Sequence, residues 1–228
     1  FTPVCWPVTT DGSVYRTPQP VNATKLRVKA GNTNDSASGS GARAITIEGI
    51  GQSGRLVRET IATNGTSAGP NSLNKFIRLF RAYVADSGTY ASQSAGSHAA
   101  AIEIENAAGT ENWLKIDATT FPKSQSEVAA YTVPYGKKAY LTSFNFSCDT
   151  TKIVEAIFFR RESILDSSAP YKAMRTAFTF SGINNELLQV FNPALGPFDT
   201  MTDIGVLAKV DAGTAEVHVN FELILIPE

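Results

Sequence analysis

The sequence predicts an all-β protein: an antiparallel β-sandwich or jelly roll, divided into two consecutive β-subdomains and preceded by an extended, proline-rich N-terminal arm. Three observations point there. Short stretches in which apolar and polar residues alternate recur along the chain, the period-2 signature of strands with one buried face. Clusters of Gly, Pro, Asn and Ser separate them and supply the backbone conformations that tight turns need. At 228 residues the chain can bury about 70% of the surface its unfolded form exposes, so it needs no external staple.

Residues 1–25 form the arm. Pro3, Pro7, Pro18 and Pro20 fix φ and remove amide donors there, which excludes helix and central strand. Phe1 and Trp6 give the arm apolar groups to lay along another surface or along its own domain. Residues 26–120 form the first β-sandwich subdomain. LRVKA (26–30) alternates, the polar loop GNTNDSASGSG (31–41) follows, and 44–62 reads as a hairpin. Ile45 and Ile47 share one face of it and Thr46 and Glu48 the other, with the glycines of GQSG at the turn. FIRLFRAYV (76–84) could be read as a basic amphipathic helix, but its Phe, Ile, Tyr and Val content makes it a strand. AAIEIENA (100–107) and NWLKIDA (112–118) form a second hairpin around Ala108-Gly109-Thr110.

The polar segment TTFPKSQSE (119–127) reads as a linker, and residues 121–228 form the second, jelly-roll subdomain. Its strands are AAYTV (129–133), KAYLTSFNFSC (138–148), IVEAIFFRR (153–161), TAFTF (176–180), MTDIGVLAKV (201–210) and EVHVNFELILI (216–226). The last puts Val217, Val219, Phe221, Leu223 and Leu225 on one face. Burying all five contributes about 7–15 kcal/mol of gross transfer free energy at roughly 1.5–3 per residue, which predicts a strand central to its sheet. NNELLQVF (184–191) is helix-compatible and should stop at Asn192-Pro193. The expected total is eleven or twelve strands and at most one short helix.

Composition narrows the function. With 20 Lys+Arg against 21 Asp+Glu, no whole-molecule field recruits nucleic acid or an anionic membrane. No run of about 18 apolar residues exists to span a bilayer, and FTPVCWPV lacks the form of a signal peptide. Cys5 and Cys148 read as reduced thiols, with one bridge between them as the alternative, and with only His98 and His218 beside them no zinc-spaced cluster forms. The triplets at Asn22, Asn34, Asn64 and Asn145 read as chance in a chain rich in Ser, Thr and Asn. No metal, cofactor or small-molecule ligand is expected.

No residue reads as catalytic. There is no Gly-x-Ser-x-Gly elbow, and Gly136-Lys137 lacks the upstream glycine of a phosphate-binding loop. His218 falls in the polar register of its strand and His98 in the small-residue loop SAGSHAAA. Glu103/Glu105 and Glu216/Glu222 could form a glycosidase pair but read as solvated strand faces. Lys75, Arg78 and Arg81 make the largest basic stretch, and Arg160-Arg161 a second. Alternation sends Arg78 and Arg81 to opposite faces, so they read as partners of carboxylates within or between subunits rather than as one nucleic-acid patch. The candidate interface residues are therefore Phe1, Trp6, Arg78, Arg81, Arg160 and Arg161.

GSGARAITIEGIGQSGRLVRETI (39–61), Asn64-Gly65-Thr66, NKFIRLFRAYV (74–84) and YTVPYGKKAYLTSFNFS (131–147) resemble, in this order, motifs of a group of tailed-phage virion structural proteins. That group has a T-x-T-I-E-G-L-like hairpin, an N-G-T turn, an S-F-x-R-x-x-R-A-Y-V strand and a Y-T-V-P-A-G-K-T-A-Y-L-T-S stretch. The likeness covers roughly residues 36–150, and Tyr135 stands where the pattern commonly has Ala. The motifs are structural. They imply a non-enzymatic part of a phage particle, localised in the virion, as a head-decoration or tail accessory protein. Such a protein binds copies of itself, with a trimer as first expectation, and neighbouring virion proteins. Two other readings compete: a host-surface glycan-binding module using aromatics near Tyr90, Trp113 or Tyr171, and a jelly-roll capsid-lattice protein.

Overall fold

The structure is a computed structural model that describes residues 1–6, 15, 22–89, 97–118, 124–166 and 168–228. These residues form sixteen strands and no helix, joined in antiparallel sheets. Twelve of the strands are those the alternation marks. The other four are β1 (Thr2–Pro3), β2 (Cys5–Trp6), β9 (Glu127–Val128) and β14 (Glu186–Phe198). The chain divides into two compact units: Cys5–Val128, and Phe1–Val4 together with Ala129–Glu228.

The first unit contains β3 (Leu26–Ala30), β4 (Ala42–Gly51), β5 (Leu56–Ala62), β6 (Phe76–Ser87), β7 (Ile102–Asn106) and β8 (Asn112–Ile116). They form two three-stranded sheets, β3-β7-β8 and β5-β4-β6, and β2 pairs with β9. Ile45, Ile47, Leu79 and Phe76 from one sheet share a core with Leu26, Val28, Ile104 and Trp113 from the other. The β4–β5 hairpin turns at Gly54, whose φ of 75° is open to glycine without Cβ strain. Gly109, at φ 71°, does the same between β7 and β8. The polar loop before β4 is pinned by a fully buried carboxylate: Asp35 accepts from the backbone N–H groups of Ala42, Ala99 and Ala100 at 2.9, 2.8 and 3.1 Å.

The second unit contains β1, β10 (Ala130–Thr132), β11 (Lys137–Cys148), β12 (Val154–Arg161), β13 (Arg175–Ile183), β14, β15 (Asp203–Val210) and β16 (Val217–Pro227). One sheet has β15 between β12 and an edge shared by β1 and β10, with β13 beyond β12; the other runs β14-β11-β16. The pairs β12–β13, β11–β14 and β10–β15 are therefore nested one inside the next. Phe144, at the centre of the core, lies 5.1–6.2 Å from the rings of Phe158, Phe178 and Phe180.

Two expectations are corrected here, and the arm gains a detail. NNELLQVF is not helical. Its apolar residues lie on β14, which continues through Pro193 and Pro197 to Phe198. A proline has no ladder donor, but β14 is an edge strand, where that donor is not needed. The final strand is also not central: among the described residues β16 pairs with β11 alone. The prolines near the start permit a short edge pairing, since Thr2 and Pro3 add to β15 opposite Ala208 and Leu207. Residues 7–14 and 16–21 of the expected arm, and 119–123 of the expected linker, lie outside the described residues.

Candidate functional site

Among the described residues, the β14-β11-β16 sheet carries the largest group of exposed and half-buried apolar side chains. Its middle strand is complete inside: Ala139, Leu141, Phe144, Phe146 and Cys148 are all buried. The flanking strands are not. Leu187 and Phe191 on β14, and Val217, Val219, Phe221, Leu223 and Leu225 on β16, face the same core but stay half-buried. Among the described residues both flanking strands have one unpaired edge, and so does β13 in the opposite sheet, where Phe178 and Phe180 are also half-buried.

The outer face of this sheet carries a second apolar set. Register places Leu188 beside Asn145 and Val190 beside Ser143, both pointing outward because Asn145 and Ser143 alternate with the buried Phe144 and Phe146. Each is 62% exposed. Across β11, Ile224 lies beside Tyr140 and Ile226 beside Lys138, exposed by 51% and 39%. Leu223 to Ile226 is thus an unbroken apolar run on an edge strand, a pattern typical of strands covered on both faces. The middle of the face is polar: Thr142 and Ser143 donate to Glu222 Oε2 at 3.1 and 3.4 Å, and Asn145 donates to Glu186 Oε1 at 2.9 Å.

The six sequence-derived interface residues divide between the units: Trp6, Arg78 and Arg81 belong to Cys5–Val128, and Phe1, Arg160 and Arg161 to the other unit. Arg78 is 1% exposed and its Nη1 donates to the Ile77 carbonyl at 2.7 Å. Arg161 is 2% exposed and forms an ion pair at 2.8 Å with Asp203, whose other oxygen accepts from Thr132. Both side chains are therefore buried in this chain rather than on its surface, where the sequence expectation places interface residues. Arg81 is on the surface, 5.0 Å above the Tyr83 ring, and donates to Gln125 at 2.9 Å. Arg58 approaches the same tyrosine and pairs with Glu48 at 3.5 Å. Arg160 and Arg175, opposite each other on β12 and β13, flank Glu162 at 3.7 and 2.6 Å. Phe1 is half-exposed, with Lys209 Nζ 6.0 Å from its ring centre. Trp6 lies in β2. Leu188, Val190, Ile224 and Ile226 were missed by the sequence reading, although LILI at 223–226 was its visible signal.

The groups considered for chemistry are held structurally. His98 Nε2 is 2.7 Å from the Asp117 carbonyl, and His218 lies 3.3 Å from Glu216 on an exposed face. Glu105 accepts from Arg27 Nε at 2.6 Å, and Glu103 stands opposite Lys29 and Lys115. Cys5 and Cys148 are free thiols. Among the described residues no three His, Cys, Asp or Glu side chains converge as metal ligands, and no helix is long and apolar enough to cross a membrane. A depression of about 480 Å³ in the first unit is lined by Lys25, Gln52, Ser53, Asn74 and Lys75 among others. Burial holds the Tyr131 hydroxyl up at about 12. Trp113, the main aromatic of the glycan reading, is 1% exposed in the first unit's core, Tyr171 is exposed, and Tyr90 lies outside the described residues.

No family model, no curated protein and no solved structure matches this chain.

Proposed function

We propose that the protein is a non-enzymatic structural component of a phage virion, a head-decoration or tail accessory protein that works by binding copies of itself and neighbouring virion proteins. The observation that carries self-association is the β14-β11-β16 sheet, whose edge strands expose Leu188, Val190, Ile224 and Ile226 on the outer face and leave the apolar residues of the inner face half-buried. Leaving that much aliphatic surface in water is unfavourable, and contiguous exposed apolar surface marks a contact site. The phage assignment rests on the resemblance of residues 39–61, 64–66, 74–84 and 131–147. Those motifs fall on β4, β5, β6, β10 and β11 and on their turns, as structural motifs should. The nested pairs of the second unit are the connectivity that winding one long hairpin into a jelly roll generates, which supports a jelly roll for that unit.

Quantitative mass spectrometry of purified particles tests this reading. A fixed copy number in the tens supports an accessory or decoration role. Hundreds of copies would favour the capsid-lattice alternative, and absence from the particle would overturn the assignment. Burial of Trp113 removes the main aromatic platform from the glycan-binding alternative.

A further inference from the structure

The depression in the first unit is a preformed hollow whose walls are pinned by hydrogen bonds. The segment before β6 lies along β3: Ser72 N–H donates to the Leu26 carbonyl at 2.7 Å, Leu26 N–H to Ser72 Oγ at 2.9 Å, and Phe76 N–H to the Thr24 carbonyl at 2.8 Å. From β5, Glu59 accepts from Leu73 N–H at 2.5 Å and from Asn74 N–H and Nδ2 at 3.0 and 2.9 Å. The β4–β5 turn makes the third side, with Gln52 N–H donating to the Lys75 carbonyl at 3.0 Å. Its volume of about 480 Å³ falls within the range of about 300–1,000 Å³ that small-molecule sites occupy.

Charge narrows the occupant. Lys25 and Lys75 both line the hollow, and among the described residues neither ammonium has a carboxylate within ion-pair distance. Arg55, exposed on the same turn, adds a third cation. Glu59, the acid that holds the wall, has both oxygens occupied by Leu73 and Asn74. Three cations against one carboxylate leave two positive charges uncompensated. A phosphate monoester carries about −1.5 to −2 at neutral pH and meets lysine as a point charge, whereas a carboxylate supplies one charge. The remaining lining asks for hydroxyls. The Gln52 and Ser53 side chains have no partner among the described residues, and Asn74, whose Nδ2 is held by Glu59, keeps its Oδ1 as an acceptor. An acidic peptide is disfavoured, because Gln52 N–H, Lys75 C=O, Leu73 N–H and Asn74 N–H are already paired and offer it no ladder. We propose that this hollow binds a sugar phosphate, with the phosphate on Lys25 and Lys75, the sugar hydroxyls on Gln52, Ser53 and Asn74, and Val57 and Leu73 against the apolar edge of the ring.

Ligand-observed NMR on the full chain tests this, because the signal comes from the small molecule whatever the size of the assembly. The probes are glucose 6-phosphate, N-acetylglucosamine 1-phosphate and ribose 5-phosphate, set against glucose, glucuronate and inorganic phosphate. At least one sugar phosphate should bind saturably and more tightly than every control. Lys25→Ala and Lys75→Ala should each weaken that binding by about 3- to 10-fold, and the double variant should remove it. Gln52→Ala should weaken the sugar phosphate and leave inorganic phosphate unchanged. Lys29→Ala, at an exposed lysine of β3 opposite Glu103, should change nothing. Circular dichroism checks folding, and Lys25→Gln replaces Lys25→Ala if the alanine variant unfolds. Failure of every sugar phosphate to bind, or binding that survives the double variant, would overturn the site. Glucuronate binding as tightly would overturn the charge match, and inorganic phosphate binding as tightly would overturn the sugar contacts. Self-association rests on the other unit and stands or falls separately.

Discussion

In the first unit, fifteen buried hydrophobic residues make the core and three half-buried ones, Val57, Val84 and Val128, rest against it. In the second unit the core is again fifteen, but thirteen half-buried hydrophobics surround it, nine of them on β13, β14 and β16. Both figures are for the described residues. Similar hydrophobic interiors thus end differently: one is sealed by its own strands, and the other thins gradually toward open edges. The difference lies in the flanking strands. The flanking β7 partners, β3 and β8, bury their inward residues completely, whereas β14 and β16 bury theirs by half. A core that thins outward is stable in the middle and adaptable at its rim, which suits a surface completed by another molecule.

The largest expected effects separate centre from rim. Phe144→Ala removes a fully buried ring from the hub of the aromatic cluster and should cost about 3–5 kcal/mol in urea unfolding. Phe221→Ala, on the half-buried face of β16, should cost the isolated chain only about 1–2 kcal/mol. Equal losses at the two positions would break the contrast between a dense centre and an open rim.

Ion pairs sharpen the comparison next. Asp203→Ala strands the Arg161 charge in the second unit's interior and should destabilise by about 3–5 kcal/mol. Glu105→Ala in the first unit leaves Arg27, whose side chain is 25% exposed, free to reach water, so a loss of about 1 kcal/mol or less is expected. Thermal melts of the two variants would rank them directly.

Smaller effects follow at the surface. Tyr131 holds its proton to about pH 12 when folded against 10.0 unfolded. Between those values the native state keeps a proton that the unfolded state has released, so stability falls as pH rises through the window and is unaffected below it. Tyr131→Phe should flatten that part of the melting-temperature profile. Arg81→Ala removes an exposed guanidinium from the Tyr83 face and should cost about 0.5–1 kcal/mol, the smallest change of the set.

Most of the fold was legible because the period-2 pattern follows directly from which side of a sheet is dry. Ile45 and Ile47 on β4, and Phe144 and Phe146 on β11, sit where alternation puts them. Alternation fails where both sides are covered or both are apolar. Phe76 to Leu79 are four consecutive buried residues, so the pattern could not show that Arg78 is enclosed. On β14, Leu187, Leu188 and Phe191 fall on both faces and imitate a helical stripe. On β16 five apolar residues on one face suggested a central strand, because sequence records that a face is apolar and not which neighbours the strand has. The candidate surface was least legible for that reason: its residues were visible, and their lack of cover was not.

Thr2 pairs with Ala208 across nearly the whole length of the chain. β15 follows Cys5–Val128 in the sequence, so Phe1–Val4 can take their place only once residues 203–210 are present. The pairing joins residues 206 positions apart, so β1 closes a long loop for only two residues of ladder and is a late-forming, early-opening latch on the edge of its sheet.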